Sequence, residues 1–513
     1  VADLQRADLD EAERDRWTGA TPGSPPADLR REAVASGGAT IIDEAERDRW
    51  TGAAPGSHPA DLRREAVASD GAAIIDEAVA SGGATIIEEL VRDHEAWRAR
   101  CINLIASENV LSPAVRAQLV TDLAGRYGDY TGRDAAHRKY FGTPYVVEIE
   151  QRVADLACRL FGARYCELRP LSGHIAGAGV LMGLCKPGDR VLEVGGDGGG
   201  HRMAAKLAES PMIDLDVQFL PFDTARWNVD VPATLEMISA LRPRIVILGS
   251  STFLFPHPVR EIAAAVHAVD GLLVYDASHV FGLLAAGHFQ QPLAEGADVI
   301  YGSTHKTLFG PQGGLILSND EALMAAISGA IYPALVTNHH LQRIPALGLA
   351  LLELETWGAA YATAVIANAR RLAHELATRG LPVAGAADGY TQSHTLLVGT
   401  HPYAGAEEAG RRLEQVGIIV TAARLPAALG RAGLRLGTQE ITRRGAHAQD
   451  MPDLAALLIE ALNAEAPREQ LARRIETWVA TRLGPCRYTW DGTEAASDHT
   501  LLARAGSDAG APA

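Results

Sequence analysis

The chain has 513 residues, 47% of them hydrophobic, a length that supports two or three domains with substantial cores. Its net charge of −16 argues against nucleic acid or an anionic membrane surface as a partner. Five cysteines (Cys101, Cys158, Cys166, Cys185, Cys486) form no CxxC pair and no ligand spacing with histidine, and no apolar run reaches the ~18 residues of a membrane span, so a cytoplasmic protein with reduced thiols is expected. At the start of the chain, residues 43–75 nearly repeat residues 10–42, Trp50 matching Trp17, and a partial third copy follows at 78–87. Two full copies are too few to bury a solenoid core. Segment 1–86 is therefore read as a duplicated, partly disordered extension, with short helices at 27–36 and 60–69 broken by prolines, and no chemistry is assigned to it.

The body follows. Residues 87–100 have the pattern of an amphipathic helix and open an N-terminal arm over 87–140. From 172 to 320 glycine-marked turns and helical stretches alternate with short apolar runs at 191–194, 244–248 and 272–275. That alternation predicts an α/β fold: a mostly parallel sheet with helices on both faces, in a large domain over 141–344. A linking helix is expected at 345–380, a smaller α+β domain at 381–487, and a flexible tail at 488–513.

Within the large domain, Ser303-Thr304-His305-Lys306-Thr307 follows an apolar strand, and a lysine there suits a Schiff base, because a partly desolvated amine loses its proton more readily. Pyridoxal 5′-phosphate is the aldehyde such lysines usually hold. Upstream, the run Leu272-Leu273-Val274-Tyr275 ends in Asp276, which places a carboxylate at the same rim of a parallel sheet. An acid beside the pyridine nitrogen keeps the ring protonated and makes it an electron sink. Leu171-Ser172-Gly173-His174 stands where a strand turns into a helix, so that helix-start amides, a hydroxyl and a glycine can cup a phosphate. The glycine-rich loop Gly195 to Gly200 before His201 lacks GxGxxG spacing and is no dinucleotide fingerprint. Arg435 offers two parallel donors to a substrate α-carboxylate, with Arg443 and Arg444 as alternatives if the loop register differs.

Four collinear blocks carry a resemblance: Asn103-Leu104-Ile105-Ala106-Ser107-Glu108-Asn109, Tyr275-Asp276-Ala277-Ser278-His279, Ser303-Thr304-His305-Lys306-Thr307, and Gly433-Leu434-Arg435-Leu436-Gly437-Thr438 with Ile441-Thr442-Arg443-Arg444-Gly445. Over residues 95–483 the chain resembles the serine hydroxymethyltransferase-like, fold-type I pyridoxal-phosphate transferases. The resemblance implies a homodimer with active sites at the interface, acting on small amino acids and aldehydes. It implies the cofactor phosphate at Ser172, Gly173 and His174, and His201 stacked on the pyridine ring. It also carries Thr252, His279 and Tyr127 to the cofactor and Ser107 to the substrate carboxylate.

The departures from that family bear on the reaction. Its hydroxymethyltransferases carry a glutamate where this chain has Asp129 and a tyrosine where it has Phe141. Shortening the glutamate by one methylene moves the carboxyl further than a hydrogen bond tolerates. A glycine-rich segment is replaced by Tyr332 to His340, and an arginine by Gln312. His339 and His340 suggest no metal, since adjacent side chains rarely converge on one ion. The retained set fits Cα–Cβ cleavage of β-hydroxy amino acids, and the variant pattern resembles the L-threonine transaldolases of secondary metabolism, among them enzymes that make fluorothreonine or glycyl-uridine. These cleave L-threonine to acetaldehyde and join the remaining glycine unit to another aldehyde. His305, or a water held near Asp129, is the expected base, and Phe141 the expected substrate-side wall. The alternatives are a tetrahydrofolate-dependent hydroxymethyltransferase acting on serine or α-methylserine, a threonine aldolase, and a non-catalytic pyridoxal-phosphate-binding protein.

Overall fold

A computed structural model of the chain describes residues 84–210, 213–464 and 466–490; the duplicated copies before residue 84 and the tail after 490 lie outside them. Helix α1 (Ala84–Ala99) occupies the expected amphipathic segment, with Ile87, Leu90 and Val91 exposed. A two-residue strand, β1 (Ile102–Asn103), follows.

The seven-stranded sheet has the order β2-β10-β9-β8-β7-β3-β4. Its strands are β2 (Tyr165–Glu167), β3 (Asp189–Val194), β4 (Leu215–Leu220), β7 (Ile245–Leu248), β8 (Leu272–Asp276), β9 (Val299–Ser303) and β10 (Gly314–Ser318), with a small hairpin of β5 (Phe222–Asp223) and β6 (Asn228–Val229) beside them. From β9 to β4 all neighbours are parallel; β10 alone runs antiparallel to both of its neighbours. The apolar runs are continuous because both faces are covered. Alternate residues then divide between two cores: Leu192, Val246, Leu273, Tyr275 and Ile300 on one face, Val191, Ile245, Val274, Val299 and Tyr301 on the other. Helix α2 (Pro144–Phe161) packs into the first core, and α3 (Gly173–Leu184) into the second.

Helix α4 (Arg343–Thr378) runs 36 residues. Leu347, Leu351 and Val365 belong to the large-domain core, and Ala369, Leu372 and Leu376 to that of the smaller domain. By length and composition this helix alone among the described ones would suit a membrane span, although Glu353 and Glu355 interrupt its apolar run. Its apolarity has a local cause, since it serves two cores; Glu353 within it is fully buried in an ion pair with Arg443.

The smaller domain is an antiparallel sheet of β11 (Thr395–Gly399), β14 (Ala432–Gly437) and β13 (Thr421–Arg424), with α5 (Met451–Asn463) and α6 (Arg468–Arg482) contributing to the same core. Strand β1 pairs in parallel with β12 (Ile418–Ile419), and Ile102 and Leu104 enter this core. Part of the expected arm is thus a piece of the smaller domain, because its alternating apolar residues face inward. The first residues of the expected tail are packed: Tyr488 lies against Tyr361 and Trp490 against Trp357, with ring centroids 5.5 Å and 4.8 Å apart.

Candidate active site

Parallel pairing brings the chemistry together. Strands β8 and β9 pair with Asp276 opposite Tyr301, so Asp276 at the end of one and the Lys306 turn after the other leave the sheet at the same rim. The Ser278 amide donates to Asp276 Oδ1 at 2.9 Å, fixing the carboxylate. Burial pushes the Lys306 amine down to about 8 from an ordinary 10.5; Asp276 opposes the shift and Arg435 adds to it. The backbone of the turn is held by Asn109, whose Nδ2 donates to the Lys306 carbonyl at 2.9 Å.

Ser172 caps α3, its hydroxyl accepting from the Ile175 amide at 3.1 Å. The amides of Gly173 and His174 head the helix, where no carbonyl of the preceding turn exists to accept them. A side chain at residue 173 is barred by the neighbouring strand end, since a Cβ there would lie 2.3 Å from Ser303 Oγ. Gly199 is required similarly: its φ is +71° and a Cβ would lie 1.8 Å from Thr252 Oγ1. The glycine-rich loop therefore lets two segments approach closely. His201 emerges from it, its Nε2 3.3 Å from His174 Nδ1.

Ser172, Gly173, His174, His201, Asp276, His279, His305 and Lys306 line one cleft, together with Ser250, Ser251, Ser278 and Ser303. Desolvation lowers His305 to about 4, with Lys306 adding to the effect, and His201 to about 4, where Asp276 opposes it. Burial, aided by the cations around it, also holds His279 well below the ordinary imidazole range, and its ring stacks on His394 at 5.7 Å. All three imidazoles are neutral near pH 7 and available as acceptors or single donors.

Arg435 stands on β14 beside this cleft. Its Nη1 donates to the Ser251 carbonyl at 3.0 Å, and its buried Nε has no protein partner. Arg443 is committed elsewhere, to Glu353 and to the ring of Phe309, 3.5 Å from its guanidinium carbon; Arg444 bonds the carbonyls of Ala99 and Cys101. Ser107 lies between Ala106, whose carbonyl accepts from His394 Nε2 at 3.1 Å, and Glu108, whose carbonyl accepts from Gln439 at 2.7 Å.

Tyr127, Asp129 and Phe141 do not line this cleft in the single chain. Tyr127 is 53% exposed and Phe141 wholly so. Asp129 is buried beside Lys139 and Arg138, and desolvation raises its pKa against their opposing charges. Its neighbour Tyr130 lies between the guanidiniums of Arg138 and Arg169. His339 pairs with buried Glu150 while His340 is exposed, so the two rings diverge.

Thr252 sits behind the wall, its hydroxyl 3.1 Å from Ser250 Oγ and 3.3 Å from the Gly198 carbonyl. Its neighbours Ser250 and Ser251 reach the cleft instead, and sequence reasoning passed over them. They follow β7 as Asp276 ends β8, so the rule that sites gather beyond the carboxyl ends of parallel strands was the available signal.

The residues present fit pyridoxal phosphate: an amine of lowered basicity, a fixed carboxylate, a helix start for the phosphate, and orphaned Nδ1 atoms on His279 and His305. Comparison with known proteins agrees. The family described as serine hydroxymethyltransferase matches residues 83–458. A serine hydroxymethyltransferase from Methanopyrus kandleri is 39% identical over 391 residues, 75% of this chain and 90% of that protein. One from Pyrococcus abyssi is 40% identical, over 74% of this chain and 91% of that protein. The crystal structure of an L-threonine transaldolase from Pseudomonas fluorescens in the internal aldimine state superposes with a TM-score of 0.75 at 29% identity, covering 84% of this chain and 98% of that one.

Proposed function

The chain belongs to the serine hydroxymethyltransferase family of pyridoxal-phosphate-dependent enzymes, and within that family we propose that it is an L-threonine transaldolase. The observation that carries this reading is the 127–142 loop. It carries Phe141, an exposed apolar ring, and Asp129, a buried carboxylate one methylene shorter than glutamate, where the resemblance to the family implies tyrosine and glutamate. The likeness to the Pseudomonas transaldolase supports it. A second reading, folate-dependent serine hydroxymethylation, is favoured by the 39–40% identity to curated relatives of that name.

Bound pyridoxal phosphate supplies the electron sink that lets a Cα–Cβ bond break and re-form. Lys306, with its amine partly deprotonated near neutral pH, holds the aldehyde carbon. Asp276 keeps a proton on the ring nitrogen, while Ser172 and the first-turn amides hold the phosphate. Arg435, with Ser107 nearby, receives the amino acid's carboxylate. His305, neutral and with a free Nδ1, takes the β-hydroxyl proton of threonine, acetaldehyde leaves, and the same imidazole returns the proton to the alkoxide formed on a second aldehyde.

We further propose a homodimer with the sites at the interface. Tyr127, Phe141 and Tyr145 are exposed on the single chain, at 53%, 101% and 79%, and a second copy would cover them. The cytoplasm is the proposed compartment. The test of the activity is purified protein with L-threonine and a panel of aldehydes, with and without tetrahydrofolate. New β-hydroxy amino acids without folate support the proposal; turnover of serine alone, and only with folate, removes it.

A further inference from the structure

The turn that carries Lys306 is strained, and the C-terminal segment lies against the groups that hold it. Phe309 has φ +51°, a left-handed conformation costly for a side chain of its size. Two backbone bonds close the turn: the Phe309 amide to the Lys306 carbonyl at 3.1 Å and the Gly310 amide to the Thr304 carbonyl at 2.8 Å. The Phe309 ring is caught between the Arg443 guanidinium, 3.5 Å away, and the edge of Tyr361, 5.0 Å between centroids. Tyr361 accepts from Asn109 at 3.0 Å, and Asn109 Nδ2 also reaches the Lys306 carbonyl.

Two of the holding groups, Arg443 and Tyr361, are in turn contacted by Tyr488. The Tyr488 carbonyl accepts from Arg443 Nη1 at 3.1 Å, and the Tyr488 ring packs on Tyr361. The Thr489 hydroxyl donates to Glu353, the buried partner of Arg443. Trp490 anchors the segment on Trp357, one turn along the same helix from Glu353. An ion pair with both side chains fully buried tolerates little misalignment, since any unmet donor or acceptor costs desolvation energy.

We propose that residues 488–490 are a positioning strap, which through Arg443, Glu353 and Tyr361 clamps Phe309 in its strained conformation and so fixes the turn bearing Lys306. The strap touches no reacting atom. Its consequence for turnover rests on the reading of Lys306 as the cofactor lysine, whereas its consequence for the turn does not.

The test is the full-length protein with Thr489→Val and Trp490→Ala together, followed by hydrogen exchange of the peptide spanning 304–312 and by steady-state kinetics with threonine. The expected result is exchange of the Phe309 and Gly310 amides about tenfold faster, with β8 unchanged. A kcat lowered about tenfold with KM within about twofold should accompany it, and Trp490→Phe, which keeps a ring, should behave as wild type. Unchanged exchange at 309–310, or acceleration spread equally over β8, would overturn the strap. If exchange responds but turnover never depends on Lys306, the clamp stands and the cofactor reading fails.

Discussion

The Asp276 carboxylate and the Lys306 amine face one cleft, and their electrostatics are opposed: Asp276 raises the lysine's pKa while burial lowers it, and burial wins, leaving the amine near 8. Because this is a depressed lysine, the neutral amine predominates above about pH 8, well before the 10.5 of a free lysine. In cofactor-free protein, labelling of Lys306 by an amine-reactive reagent, read by peptide mass spectrometry, should rise with a midpoint near pH 8. Asp276→Asn should move that midpoint lower, because it removes the opposing charge. A wild-type midpoint above pH 10 would mean that the amine is not desolvated.

Lys306→Ala should abolish the absorbance of lysine-linked cofactor and all turnover, with the fold intact by circular dichroism. Retained absorbance would assign the linkage to another lysine.

Arg435→Ala should raise KM for threonine by about thirtyfold, the scale of about 2 kcal/mol for a lost charge-assisted pair. Arg443→Ala should act differently. It strands buried Glu353, so the expected cost is about 3–5 kcal/mol of stability, seen as a lowered urea midpoint. An Arg435 variant with unchanged KM would remove Arg435 as the carboxylate grip.

Much of this site was legible in the sequence because its residues follow strands. Lys306, Asp276 and Ser172 each stand at a strand-to-loop or loop-to-helix junction, where periodicity ends and chemistry begins. Among Arg435, Arg443 and Arg444 the resemblance put Arg435 first, but residue type alone could not choose, since three arginines in one stretch differ only in what they pack against. Nor was the docking of Tyr488 to Trp490, whose partners lie far away on helix α4 and leave no periodic trace. The β1–β12 pairing was hidden for the same reason: two residues of strand carry no pattern until their partner is known. Tyr127, Asp129 and Phe141 were singled out by comparison with a family, and the single chain leaves them outside the cleft.

The Phe141→Tyr, Asp129→Glu double variant should release more free glycine per threonine consumed. In the proposed dimer, an apolar ring at 141 brought to the partner's cleft would exclude water from the glycine carbon until a second aldehyde arrives, and a phenol with a longer carboxylate would restore a route for protons. An unchanged ratio of glycine to coupled product would show that these positions do not govern partitioning.

The central claim is most directly tested by following L-threonine and a foreign aromatic aldehyde with the wild-type protein in the absence of tetrahydrofolate, quantifying acetaldehyde, free glycine and the new β-hydroxy amino acid together. The account predicts acetaldehyde and coupled product in near-equal amounts with little free glycine, and no acceleration of serine-to-glycine conversion when tetrahydrofolate is added. Conversion of serine only with tetrahydrofolate, and no reaction of threonine, would contradict it.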